Sequence, residues 1–139
     1  MGDVLEIVHR LRKAEEHRAR AVLADAQVAY EQCQTRLHET EQALHQTMTS
    51  AANGVIDLQA RHQGALRLEL ERRYREQQMQ ESLDRAGSAR ETVTEHAKAA
   101  KVVELVATSR RDEAMAEHQR RTRQAFDEQG LQSWWRRSA

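Results

Sequence analysis

Seven histidines and one cysteine, Cys33, are the side chains of this 139-residue chain best suited to metal binding or nucleophilic chemistry. His38 and His45 lie one heptad apart on one helical face, too far apart to share a metal ion without a third ligand. The other histidines have no ligand spacing to one another or to Cys33. We therefore expect no metal site, and we expect Cys33 to be a small buried thiol in a helical seam.

The sequence has no pattern typical of phosphate binding or covalent catalysis. Its scattered glycines, Gly54, Gly64, Gly87 and Gly130, form neither a G-x-G-x-x-G nor a Walker pattern. No nucleophile–base pair and no paired carboxylates suited to acid–base catalysis can be recognised. We expect a protein that is not an enzyme and that binds no cofactor.

The composition is typical of long helices that expose much of their surface. Charged residues make up 32% of the chain, aromatic residues make up 4%, and proline is absent. Such a chain can pack two helices against each other along a narrow seam, but it cannot bury a thick globular core. The 22 basic and 22 acidic side chains cancel, whereas a dedicated nucleic-acid binder normally carries a basic footprint. We expect no nucleic-acid partner.

A single break at Asn53-Gly54 divides the chain into two amphipathic stretches. This layout predicts an all-α fold in one coiled-coil domain, an antiparallel two-helix hairpin with a longer second helix. The expected boundaries are helix 1 at about 4–52, a turn at about 53–56, helix 2 at about 57–129 and a flexible tail at 130–139. Asn53 and Gly54 suit the left-handed conformation that ends a helix, and Asp57 is expected to N-cap the second helix.

Apolar residues recur at steps of three and four in both arms, which predicts the seam between them. In the first arm these are Val4, Val8, Leu11, Val22, Ala26, Ala29, Cys33, Leu37, Leu44 and Met48, with Glu15 at the same spacing. In the second arm they are Leu58, Leu66, Leu70, Tyr74, Met79, Leu83, Ala86, Val93, Ala97, Ala100, Val103, Ala107, Ala114, Ala125 and Phe126. Leu68 is expected to point outward, between Leu66 and Leu70 in the seam.

Folding the chain about Gly54 pairs residues whose numbers sum to about 110, such as Leu44 with Leu66 and Val8 with Val102. The first arm then ends near residue 106, and residues 107–129 have no partner within the chain. At 1.5 Å per residue this overhang is roughly 35 Å long. Because an isolated polar helix is marginal in water, we expect a partner to order it.

Three stretches of the chain resemble the bacterial flagellar export protein FliJ and its injectisome relatives of the SctO/YscO group. They are Leu11-Arg12-Lys13-Ala14-Glu15-Glu16 with Ala19 and Leu23-Ala24-Asp25-Ala26; Gly54-Val55-Ile56-Asp57-Leu58-Gln59 with Leu66, Leu68 and Leu70; and Arg120-Arg121, Phe126-Asp127-Glu128 and Trp134-Trp135-Arg136-Arg137. The second stretch departs from the family pattern, because leucines and Gly64 stand where the family often has an aromatic residue.

The resemblance implies a central stalk of type III protein export, similar to the stalk of a rotary ATPase. The terminal end would insert into the hexameric export ATPase (FliI-like) and promote its assembly. Residues after the turn would approach the cytoplasmic domain of the export gate (FlhA-like), and the protein would escort export chaperones. The implied ATPase contacts are Glu113, Glu117, Arg120, Arg121, Arg123, Asp127 and Glu128, and the implied gate contacts are Leu66, Leu68 and Leu70.

The expected location is the cytoplasm, with the chain held at the cytoplasmic face of the cell membrane only through the export apparatus. The N-terminus, with Asp3 and Glu6, lacks a secretory pattern, and no apolar run is long enough for a membrane span. Trp134 and Trp135 beside Arg136-Arg137 would suit a membrane interface, but two aromatics in so short a stretch favour a disordered or partner-bound tail.

Two alternatives remain open from the sequence. The same stalk could serve a virulence injectisome, and genomic neighbours would separate that case from a flagellar one. The chain could also be a scaffolding coiled coil that dimerises through its seam and touches no ATPase. A rotary-ATPase subunit proper is disfavoured, because such stalks usually carry an additional globular domain that this length cannot hold.

Overall fold

The computed structural model describes the backbone of residues 2–138 and the side chains of residues 4–138. Helix α1 spans Gly2–Thr49 and helix α2 spans Val55–Ser138. The prediction of an all-α antiparallel hairpin with a longer second helix is therefore confirmed. Because the chain contains no proline, no residue inside either arm lacks a backbone N–H or forces the helix to kink.

Both helices end at positions that differ from the predicted boundaries. Helix α1 ends at Thr49, a few residues earlier than expected, and α2 continues through Gly130 to Ser138. A glycine inside a helix costs only about 1 kcal/mol relative to alanine, which is too little to end a helix without a left-handed residue. The stretch expected to be a flexible tail is therefore helical as far as Ser138, whose hydroxyl donates to the Trp134 carbonyl at 2.9 Å.

The turn depends on one glycine and one carboxylate. Within residues 2–138, Gly54 alone has a positive φ, at 95°. Its carbonyl oxygen accepts the Leu58 N–H at 3.2 Å, so Gly54 itself occupies the N-cap position. Asp57 lies inside the first turn of α2, where its Oδ2 accepts the Asn53 N–H at 3.1 Å. The prediction that Asp57 is the N-cap is wrong, although its carboxylate still satisfies a free amide beside the helix terminus.

The chain divides into two compact units, each built from parts of both helices. Unit 2 comprises Ala14–His96, and unit 1 combines the beginning of α1, up to Lys13, with α2 from Ala97 onward. Unit 2 contains cross-helix contacts whose residue numbers sum to 111, which agrees with the predicted register to within one residue. These contacts join Ser50 to Arg61, Thr47 to Gly64 and Glu15 to His96.

The seam of unit 2 combines small, polar and larger apolar side chains. Its covered positions alternate in steps of three and four, which is the heptad spacing of a left-handed coiled coil. On α1 they are Glu16, Ala19, Leu23, Ala26, Tyr30, Cys33, Leu37, Thr40, Leu44 and Thr47; on α2 they are Ala65, Leu68, Arg72, Arg75, Met79, Ser82, Ala86, Ala89, Val93 and His96. Cys33 was expected to be buried in the seam. It lies at a seam position with a free thiol, but it is only half-buried.

Several residues predicted for the seam lie outside it. Val22, Met48, Leu58, Leu66, Leu70, Tyr74 and Leu83 are exposed. These seven apolar side chains therefore point away from the partner helix, while the most deeply buried positions of the unit 2 seam include alanine, threonine and serine. The buried Thr40 hydroxyl donates to the Arg36 carbonyl at 2.9 Å, which satisfies it within its own helix.

Unit 1 pairs a short stretch of α1 with α2 and leaves the rest of α2 exposed. Ala100 is the most deeply buried apolar residue, with 1% of its surface exposed. Val8 and Val103 are half-buried, whereas Val102, the predicted partner of Val8, is exposed. The predicted register is therefore displaced by about one residue here.

Replacing Gly64 with alanine should stabilise the hairpin by about 0.5–1 kcal/mol, because alanine is the better helix former. The new Cβ would lie 3.7 Å from Thr47 Cγ2, an ordinary van der Waals contact. Gly87→Ala is the matched change, since a Cβ there meets no atom within 4 Å and isolates the helix-propensity effect. Urea unfolding followed by circular dichroism measures both.

Gly54→Ala should have the opposite sign and cost about 1 kcal/mol or more, because alanine is strained at a φ of 95°. A Gly54→Ala variant as stable as the wild-type chain would contradict this account of the turn.

Candidate partner-binding surfaces

The last part of α2 is helix without covering side chains. Ala107 is its final half-buried residue at a seam position, and residues 108–138 are exposed apart from Glu117, which is half-buried. This segment, called the overhang here, carries every residue predicted to contact an ATPase. It is longer than the predicted 107–129, because α2 extends to Ser138.

An ionic cluster forms the centre of the overhang. Arg120 binds the Glu117 carboxylate with two N–H groups, from Nη2 to Oε1 at 2.7 Å and from Nε to Oε2 at 3.1 Å. Arg121 Nε donates to the same Oε1 at 3.2 Å. One carboxylate therefore holds two guanidinium groups and leaves net positive charge on this turn. The bidentate geometry fixes the Arg120 side chain more firmly than a single contact would.

The remaining predicted contacts are spread along the overhang as exposed charges. Glu113, Arg123, Asp127 and Glu128 make no ion pair within the part of the chain that the structure describes. Acidic and basic side chains thus occur in short groups along the helix, and a partner with complementary charges can contact these four without first breaking internal pairs.

The three leucines after the turn lie on different faces from those predicted. Leu68 is half-buried in the seam, whereas Leu66 and Leu70 are 53% and 66% exposed. The prediction that Leu66 and Leu70 lie in the seam and Leu68 points outward is therefore wrong. A position two residues away on a helix is rotated by about 200°, so a seam displaced by two residues reverses all three assignments.

An apolar stripe follows from this reversal. Val55, Leu66, Leu70 and Tyr74 share the outer face of α2, turned away from α1, and at least half of the surface of each is exposed. Sequence periodicity identified Leu66, Leu70 and Tyr74 as apolar positions of one stripe but assigned them to the seam. Exposed apolar side chains grouped on one face are typical of surfaces that bind another protein.

A charged cluster flanks this stripe. Arg72 binds Glu69 with Nη2 to Oε1 at 2.7 Å and Nε to Oε2 at 3.0 Å, and its Nη1 donates to Glu76 at 3.1 Å. The hydrogen bond from Arg72 holds the pKa of Glu69 below its ordinary value of 4.5. The same pairing raises the pKa of Arg72. Arg75 lies beside this cluster, with its guanidinium 5.8 Å from the centre of the Tyr74 ring.

The lowered pKa of Glu69 predicts an acid-sensitive contribution to stability. Its carboxylate stabilises the folded chain above pH 4.5, and this contribution disappears as the pH falls through the lower folded-state pKa. The difference in unfolding free energy between the wild-type chain and Glu69→Gln should therefore be constant near neutral pH and shrink below about pH 5. Urea unfolding at several pH values measures this difference.

Glu91→Gln is the matched control, since Glu91 is an exposed glutamate of α2 that forms no ion pair within the described residues. If Glu69→Gln and Glu91→Gln change with pH in the same way, the Arg72 pairing has no special role.

A shallow groove in unit 2 was not predicted from the sequence. It has a volume of about 290 Å³ and is lined by both helices, with Glu15 and Ala19 from α1 and Ala89, Thr92 and His96 from α2 among its residues. His96 Nδ1 lies 3.6 Å from Glu15 Oε2. The Thr92 hydroxyl donates to the Ser88 carbonyl at 3.0 Å, so it is engaged within its own helix. The groove lies between the two helices, but it is too open to enclose a substrate.

Over the described residues, no group of three or more His, Cys, Asp or Glu side chains is arranged to hold a metal ion. Neither helix has, within those residues, a stretch long and apolar enough to cross a membrane.

Comparisons of this chain with models of protein families, with curated proteins and with solved structures found no match.

Proposed function

We propose that this chain is a central-stalk-like component of flagellar type III protein export, which binds the hexameric export ATPase and promotes its assembly. The observation that carries the proposal is the overhang, a continuous helix from residue 108 to Ser138 with its side chains exposed. A single helix of this kind is narrow enough to enter the central pore of a ring. The sequence resemblance to the FliJ family supplies the identity of the ring.

The charge pattern of the overhang supports a protein partner of mixed charge. Glu117, Arg120 and Arg121 present a fixed cluster, and Glu113, Arg123, Asp127 and Glu128 surround it as unpaired charges. Charged contacts of this type set orientation and association rate more than affinity. Such contacts suit a stalk that must enter the ring in a defined orientation while the ring continues to hydrolyse ATP.

The second contact of the proposed stalk is the export gate. Leu66 and Leu70 offer exposed apolar surface for it, whereas half-buried Leu68 supports the helix from the seam side. The apolar stripe and the overhang would then let one chain bind the ATPase and the gate, and also meet export chaperones. The chain supplies no catalytic group in this mechanism; its role is to couple two partners.

The direct test measures ATP hydrolysis and ring assembly by the cognate export ATPase with increasing amounts of the full-length chain. We expect a higher hydrolysis rate together with a shift from monomeric ATPase to hexamers. Bovine serum albumin at equal concentration controls for stabilisation by bulk protein. An unchanged rate and an unchanged size distribution, with binding also absent, would remove the ATPase from the proposal.

A scaffolding coiled coil is the second candidate, and a specific feature of unit 1 favours it. Val4, Ile7 and Leu11 on α1 are exposed, and so are Val102 and Leu105 on α2. This apolar surface is available to a second copy of the chain. Analytical ultracentrifugation separates the two candidates, because a stable dimer at micromolar concentration favours the scaffold and a monomer favours the stalk. A stalk of the injectisome type remains the third possibility, which genomic neighbours would decide.

A further inference from the structure

The final turns of α2 carry an amphipathic face that a disordered tail would not have. Trp134 and Trp135 follow Leu131 by three and four residues, and because α2 is helical to Ser138 the three side chains lie on one side of the helix. Their exposed fractions are 60%, 59% and 67%. Three large apolar side chains on one short face are therefore open to water.

The two indoles form a single aromatic surface. The ring centroids of Trp134 and Trp135 lie 5.5 Å apart, with an interplanar angle of 79°. This edge-to-face arrangement is a favourable geometry for two aromatic rings. Each indole also keeps an N–H donor, so the pair has an apolar body and a polar edge, the combination that favours the boundary between lipid and water.

The charges of this segment have one sign. Arg136 and Arg137 follow the tryptophans on the other side of the helix, and residues 129–138 contain no acidic side chain. The nearest carboxylates, Asp127 and Glu128, precede Gly130. An apolar aromatic face opposite a cationic face is typical of helices that lie in a membrane interface.

We propose that the last turns of α2, from Leu131 to Ser138, bind the surface of membranes that contain anionic phospholipids. The tryptophans and Leu131 enter the headgroup region, and Arg136 and Arg137 contact lipid phosphates. An anionic lipid surface matches both the apolar face and the two arginines. An apolar protein pocket would accommodate the tryptophans but would leave the two arginines without a counter-charge. This inference goes beyond the proposed function, which brings the chain to the membrane only through other proteins.

The tryptophans provide their own probe, because they are the only two in the chain. The full-length chain is titrated with vesicles of phosphatidylcholine alone and with vesicles containing about one third phosphatidylserine, and its fluorescence is recorded. We expect a blue shift and a binding constant about tenfold or more higher for the anionic vesicles, since each arginine near such a surface strengthens binding by roughly fivefold. Flotation of the vesicles gives an independent measure of binding.

Two double variants separate a local site from diffuse charge attraction. Arg136→Gln with Arg137→Gln should remove most of the preference for anionic vesicles. The control variant, Arg110→Gln with Arg111→Gln, removes the same amount of charge at another exposed arginine pair of α2. It should leave vesicle binding unchanged. Trp134→Ala with Trp135→Ala should abolish flotation, and circular dichroism checks that each variant keeps its helix content.

Absence of a blue shift with anionic vesicles would overturn the proposal, as would equal losses in the two arginine double variants. A blue shift that appears only when a protein partner is added would assign the aromatic face to that partner. Because no ATPase is present in these titrations, their outcome is independent of the hydrolysis test, and either proposal can fail alone.

Discussion

If the chain stimulates the export ATPase as proposed, truncation after Ala107 should remove that stimulation, so that the rate of ATP hydrolysis returns to that of the ATPase alone. The truncation removes the exposed helix that follows the last seam position and keeps the residues that pair α1 with α2. If the overhang is the part received by the ring, the remaining hairpin has no surface that enters the pore. Steady-state phosphate release at saturating ATP measures the effect.

Point changes within the overhang refine this experiment. Changing Glu117, Arg120 and Arg121 together to glutamine breaks the ionic cluster while keeping good helix formers and changing the net charge by only one unit. We expect partial loss of stimulation and weaker salt dependence of binding. The matched control is the same triple change on α2 of unit 2, at Glu81, Arg85 and Arg90, which are exposed. Full stimulation by the chain truncated after Ala107 would contradict this account and would place the ATPase contact outside the overhang.

Ala86→Glu should destabilise the hairpin by about 2–3 kcal/mol, because it places a carboxylate in the seam without a prepared partner. Ala86 is 6% exposed and lies at a heptad position of α2. Since domains are typically stable by only 5–15 kcal/mol, and a thin hairpin lies toward the low end, this loss should strongly lower the unfolding midpoint. Thermal unfolding followed by circular dichroism measures it.

Ala114→Glu makes the same substitution at an exposed position of the overhang and should leave the unfolding midpoint nearly unchanged. Alanine and glutamate are both good helix formers, so comparing the two variants separates the effect of burial on stability from the effect of helix propensity. Equal midpoints for the two variants would mean that the seam at Ala86 is not closed in solution.

The sequence was sufficient to predict the helices and the turn, because a chain without proline offers one clear interruption. Gly54 supplies the left-handed residue of the turn, directly before α2, and no other described residue has that conformation. Gly130 shows the limit of this reasoning, since the helix continues through it to Ser138. A glycine permits the end of a helix, but it does not impose one when its neighbours remain helical.

The orientation of the helices was harder to predict, because small and polar residues occupy many seam positions while several large apolar residues lie outside the seam. Alanine, threonine and arginine occupy covered positions such as Ala86, Thr40 and Arg72, while Leu66 and Leu70 are exposed. A prediction that places the largest apolar residues in the seam therefore chooses the wrong face after the turn. Hydrogen bonds within one helix satisfy Thr40 and Arg72, and such bonds cannot be recognised from hydrophobic spacing.

The same alanine seam has a consequence for the heat capacity of unfolding. The buried apolar residues of the described chain are four alanines, and the larger apolar side chains of the seam are only half-buried, so unfolding exposes less apolar surface than it does in a globular domain. The heat-capacity change should fall well below the roughly 12–15 cal/mol/K per residue of globular domains, and the dependence of stability on urea should be shallow. Its stability curve should then be flat, with slow, progressive melting and no pronounced cold denaturation.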